Sequence, residues 1–94
     1  MLTAWLCFDK LGSLELRMKT RDEHLAWLER NVTTFKFAGP ILGDDGTTPQ
    51  GSMIIADFES LAHSREMQKQ DPYHKAGLFE RVLVQPTKQV FPKI

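Results

Sequence analysis

The chain predicts an α+β fold of the ferredoxin-like, split βαβ kind, with four antiparallel strands in one sheet and two helices on one side of it. Three observations carry that prediction. Four short runs alternate apolar and other residues at strand spacing, two stretches repeat at helical spacing between them, and the order is β-α-β-β-α-β. The strands are apolar on more than one side, as Trp5, Ile55, Val82 and Val84 indicate, although the helices of such a fold cover only one. No linker, low-complexity tract or internal repeat divides the 94 residues, so residues 1–94 form a single domain.

The first strand spans Leu2 to Phe8, with Leu2, Ala4, Leu6 and Phe8 on one face and Thr3, Trp5 and Cys7 on the other. Asp9 to Ser13 reads as a turn, and Ser13 to Lys19 as a helical turn or a lead into the main helix. The firmer helix begins at Thr20. Thr20-Arg21-Asp22-Glu23 fits a capping box, and Leu25, Leu28 and Val32 then recur toward a core. Phe35 to Gly39 forms the second strand, limited by Pro40. A loop from Gly43 to Pro49 leads to a third strand, Gly51 to Phe58, so that the two make a wide hairpin. Glu59-Ser60 opens a second helix that buries Leu61, Ala62 and Met67 and stops near Asp71, ahead of Pro72. Pro72 to Ala76 restarts as one turn, with Asp71 as N-cap, Pro72 in the first helical position and Gly77 closing it. Leu78 to Val84 is the fourth strand, and Val90-Phe91 adds a short edge piece after Pro86.

Composition narrows the function classes. Twelve basic residues balance twelve acidic ones, which removes the broad basic footprint of a nucleic-acid binder. No run approaches the roughly 20 apolar residues of a membrane span. The segment Met1 to Leu6 lacks the basic region of a signal peptide and reads as a strand. Cys7 is the single cysteine and forms no internal disulfide, so a reducing cytoplasm is expected. An uncovered apolar sheet face calls for a homodimer that buries it, because monomers rarely expose a large contiguous apolar patch.

His24 is the sharpest chemical candidate, since an imidazole serves as general base or acid near neutral pH. Placed in the first turn of the helix, it would be kept neutral by the helix dipole; the plain alternative is an exposed histidine without a role. Asp71 reads first as a helix cap, and its two carboxylate oxygens allow a second partner as well. Arg21 stands one helical turn before His24 and offers a cation to an anionic group, or is simply solvated. Ser52 points a hydroxyl into the site or bonds to local backbone; Tyr73 supplies a hydrogen bond or stacking face, or packs. Asp9 is a turn carboxylate and Cys7 a core residue. Gly39-Pro40 and Gly77 supply close approach and a turn. Asp44-Asp45-Gly46 lacks the acidic series and final glutamate of a calcium loop. His63 and His74 share no ligand spacing with His24, so no metal and no cofactor is expected.

Arg21-Asp22-Glu23-His24-Leu25, Ala38-Gly39-Pro40, Gly51-Ser52 and Asp71-Pro72-Tyr73 with Ala76-Gly77-Leu78-Phe79-Glu80 together resemble the YCII-related family of small proteins, from about Leu2 to Phe91. The resemblance implies a dimeric α+β barrel with a pocket centred on a His24/Asp71 dyad. It implies His24 moving a proton, Asp71 orienting it, and Arg21, Ser52 and Tyr73 holding a small-molecule substrate. A dehydrochlorinase of a chlorinated hydroquinone within the family makes a small aromatic ring one precedent. The alternative is a non-catalytic homodimer that binds a small ligand or serves as a scaffold.

Overall fold

The computed structural model describes residues 1–93. Its elements are β1 (Leu2–Asp9), α1 (Leu14–Arg30), β2 (Phe35–Leu42), β3 (Pro49–Asp57), α2 (Leu61–Gln68), α3 (Pro72–Lys75) and β4 (Phe79–Thr87). The strands lie in the order β2-β3-β1-β4, each antiparallel to its neighbours, which is the expected ferredoxin-like sheet.

Register assigns the two faces. Trp5 lies opposite Ile54 on one side and Val84 on the other, and Cys7 lies opposite Ser52 and Val82. This row faces the helices, and Trp5, Cys7, Ile54, Ala56 and Val84 form its buried centre with Trp27 and Phe58. Trp5 packs against Phe35 edge-on and against Phe58 in a stack. Its indole Nε1 donates to Ser64 Oγ at 2.8 Å, Ser64 Oγ lies 2.7 Å from Thr3 Oγ1, and Thr3 Oγ1 donates to the Ala56 carbonyl. Read in that direction the chain gives every buried donor an acceptor, so these polar groups cost the core little. Gly51 is required where β3 crosses β1, because a Cβ there would stand 2.3 Å from the Cys7 carbonyl oxygen.

The open face carries Leu6 between Met53 and Leu83, and Ala4 beside Ile55, which in turn faces Phe37. Two apolar faces are therefore present, but Trp5, Val82 and Val84 belong to the helix side and only Ile55 of the expected set lies on the open one. Phe37, Met53 and Phe8 remain exposed there.

Several boundaries differ from expectation for physical reasons. The main helix begins at Leu14, with the Ser13 carbonyl accepting from Arg17 N. Thr20 is thus interior, and its hydroxyl bonds back to the Leu16 carbonyl instead of capping. Leu25 and Val32 are exposed; the buried stripe of α1 is Arg17, Thr20, His24 and Trp27, at helical spacing but largely polar. In α2 the buried residues are Ser64 and Gln68, while Leu61 and Met67 are half-buried and Ala62 is exposed. Pro40 and Pro86 lie inside β2 and β4, which the sheet order makes edge strands and hence tolerant of proline. Val90 and Phe91 are exposed and join no strand.

Candidate functional site

The turn between α2 and α3 places the key carboxylate. Asp71 caps α3 as the sequence predicts: its Oδ1 accepts from Tyr73 N at 2.9 Å, Pro72 takes the first helical position, and Gly77 closes the turn at φ +77°. The same Oδ1 lies 2.7 Å from His24 Nδ1. Cap and dyad are therefore one arrangement, with a backbone amide pinning the oxygen that meets the imidazole. Asp71 is fully buried, and its Oδ2 has no hydrogen-bond partner among the described residues. A buried carboxylate so placed holds Nδ1 as the protonated nitrogen and leaves Nε2 with the lone pair. Nε2 makes no hydrogen bond among the described residues. His24 sits in the middle of α1, not in its first turn, so the carboxylate and not the helix dipole governs it.

Tyr73 stacks on the His24 ring at 4.1 Å between centroids, and the Arg17 guanidinium lies 4.4 Å from the centre of the same phenol. Burial raises the Tyr73 phenol above its ordinary range, against the opposing pull of Arg17, so it remains an O–H donor at neutral pH. Arg17 itself is 4% exposed. Its Nε and Nη2 grip the Asp9 carboxylate at 2.6 and 2.9 Å, and Nη2 also donates to Ser52 Oγ at 2.9 Å. Burial opposes the Arg17 charge, but the Asp9 contact outweighs it and raises the group further above its ordinary value.

These groups surround a cavity of about 280 Å³ between α1 and the β2–β3 hairpin. Arg17, Arg21, His24, Ser52 and Tyr73 supply its polar lining, and Met18, Leu25, Leu28, Ala38, Gly39, Pro40 and Pro49 the rest. A wider depression of about 950 Å³ runs past Glu23, Arg30 and Lys75, but His24 does not line it. The smaller cavity is the one that meets the dyad. All five residues singled out from the sequence converge: His24 and Asp71 bond directly, while Arg21, Ser52 and Tyr73 share the cavity with His24. Arg21 forms no ion pair among the described residues. Arg17 was not foreseen, nor was the role of Asp9 as its counter-ion. Eight residues apart across a turn, they make no local motif, and only the fold joins them.

Cys7 lies beneath this site, fully buried, with Gln68 Nε2 at 4.0 Å from its sulfur. Burial first, and the Asp71 charge next, push its thiol from 9.0 to about 12. It is a core residue, as expected, and not a nucleophile. The native state keeps a proton that the unfolded chain releases in that window. The stability this provides is full below pH 9 and is lost as pH rises toward 12, by up to about 1.4 kcal/mol per unit. Urea midpoints measured across that range should fall more steeply in the wild type than in Cys7→Ala.

No group of three or more His, Cys, Asp or Glu side chains among the described residues is placed to hold a metal ion. No helix among them is long and apolar enough to cross a membrane.

Comparison with known proteins places this geometry in context. The YCII-related domain model matches residues 1–88. The chain is similar to protein YciI of Escherichia coli, 40% identical over 90 residues that cover 88% of this chain and 92% of that protein. Among solved structures it is similar to the 5-chloro-2-hydroxyhydroquinone dehydrochlorinase of Burkholderia phenoliruptrix in complex with 2,5-dihydroxybenzoquinone. That likeness has a TM-score of 0.85 and 34% identity and covers 94% of each chain. A NIPSNAP domain protein of Burkholderia xenovorans, 16% identical with a TM-score of 0.51 over 99% of this chain and all of the other, shares the fold alone.

Proposed function

The chain belongs to the YCII-related domain family, and from that premise we propose that it is an acid–base enzyme acting on a small ring-shaped substrate. His24 moves the proton through Nε2, and Asp71 orients the imidazole and stabilises the imidazolium that forms. Arg21, Ser52 and Tyr73 hold the substrate. The observation that carries this reading is the 2.7 Å contact between His24 Nδ1 and a fully buried Asp71, beside a cavity of about 280 Å³. That volume is just below the roughly 300–1,000 Å³ of sites for drug-sized ligands and suits one ring. Further support comes from the similar dehydrochlorinase, whose ligand is a single six-membered ring.

The test is a screen of small hydroxylated rings, chlorinated hydroquinones included, followed by ultraviolet absorbance with wild type, His24→Gln and Asp71→Asn. Turnover that the wild type supports and both variants lose establishes the dyad. In parallel, a strongly downfield Nδ1–H proton resonance of His24 should be present in the wild type and gone in Asp71→Asn. A wild type that binds such rings but turns none over, with binding unchanged in His24→Gln, would make the protein a binding module.

A second copy of the chain covers the open sheet face, in this proposal, through Leu6, Met53, Ile55, Leu83 and Phe37. An apolar row in which Met53 and Phe37 are exposed and Leu6, Ile55 and Leu83 half-buried is the support. Sedimentation should show a wild-type dimer and a folded Met53→Glu monomer; a monomeric wild type would overturn it. The cytoplasm, where a lone buried thiol is at home, is the proposed location.

A further inference from the structure

We infer that the ring acted on carries an apolar arm, a hydrocarbon substituent that lies along the mouth of the cavity against Met18, Leu25, Ala38 and Pro40. This rests on the proton-transfer reading above and specifies the class of its substrate.

The cavity is layered the wrong way round for a surface that meets only water. Its polar lining forms the floor, where Arg17, His24, Ser52 and Tyr73 are all buried. Its apolar lining forms the mouth. Met18 is 54% and Leu25 41% exposed on α1, and Ala38 and Pro40 are exposed on β2. A single exposed apolar residue needs no explanation. Four that line one cavity make a patch, and an apolar patch rimming a pocket marks a binding surface.

Helix geometry turns the patch into a strip. Met18, Arg21, Leu25 and Leu28 recur three and four residues apart and share one face of α1. Seven residues separate Met18 from Leu25, about 10 Å along the axis. Arg21 stands between them, and the aliphatic stem of an arginine covers apolar surface while its head stays in water. No carboxylate lines the cavity among the described residues. The fold itself does not use this strip, because α1 packs through Arg17, Thr20, His24 and Trp27. A second copy seated on the open sheet face lies across the sheet from α1 and leaves the mouth uncovered. A bare hydroxylated ring would occupy the floor and leave the strip in water. A ring with a hydrocarbon arm meets both, its polar groups at the floor and its arm at the mouth.

The probes are the 4-alkylphenols from 4-methylphenol to 4-pentylphenol, with Kd measured by calorimetry. On the wild type each added methylene should lower Kd by about two- to fourfold, the upper figure being that of full burial. The methyl resonance of Met18 should move as the longer members bind. In Met18→Gln/Leu25→Gln the dependence on chain length should flatten, and since both positions are exposed, circular dichroism should match the wild type. A Kd that does not fall along the wild-type series would overturn the inference, as would a series equally steep in the double variant. Absence of binding by every member of the series would overturn it too. So would a double variant of lower sedimenting mass than the wild type, which would make the strip a contact between copies. A steep series without turnover of any ring would remove the acid–base reading and leave the ligand class standing. Turnover of unsubstituted rings beside a flat series would do the reverse.

Discussion

His24→Gln should lower turnover on a responsive ring substrate by about 10²–10⁴-fold, the range for loss of a positioned general acid or base. Glutamine keeps the approximate shape and can still donate to Asp71 Oδ1, so the fold and the cavity should persist. What it lacks is a nitrogen that accepts a proton and returns it near neutral pH. Asp71→Asn should come close to the same loss by a different route. The amide can present N–H to Nδ1, which would stabilise the opposite tautomer and place the ring proton on Nε2, where the lone pair is needed. KM should change little in His24→Gln if the substrate is held by Arg21, Ser52 and Tyr73. A large rise in KM with unchanged kcat would instead make His24 a binding group.

Why the cap at Asp71 was visible in the residues, while its pairing with His24 rested on the family resemblance and Arg17 with Asp9 was missed, follows from the chemistry of each segment. Asp71-Pro72 with Gly77 is a local capping signal, so the position of the carboxylate is set by seven consecutive residues. The strands were visible because side chains alternate with period two and Trp5, Ile54 and Val84 meet across the sheet. The helix carrying His24 was misread at its start, because hydrophobic periodicity locates the face that packs only when that face is apolar. Here α1 packs with Arg17, Thr20 and His24, and leaves Leu25 and Met18 exposed. A polar inner stripe on a helix over a sheet marks a site, and it cancels the signal normally used to place the helix. The capping-box pattern at Thr20 then stood in for the true start. Pro40 and Pro86 misled for a related reason. Proline is excluded from central strands, but whether a strand is central depends on the sheet order, which is set by contacts between distant segments.

Arg17→Met should destabilise the fold by about 3–5 kcal/mol, the cost of removing one member of a buried ion pair. For a domain of 94 residues, total stability on the order of 5–15 kcal/mol makes this a large share of the whole. The reason lies in what is left behind. Asp9, 7% exposed in its side chain, would keep a negative charge with no counter-ion, and Ser52 Oγ would lose its donor. Charge and packing can be separated. In the double variant Asp9→Asn/Arg17→Met the orphaned charge is gone, so a good part of the loss should be regained, as expected when a buried pair is replaced as a unit. Urea unfolding of the wild type, both single variants and the double variant measures the coupling. If the double variant loses as much as the sum of the singles, Arg17 acts through its aliphatic stem and its contact with Tyr73, not through Asp9. If stability recovers in the double variant while turnover of a ring substrate does not, the ion pair is dispensable for folding and is kept for the site.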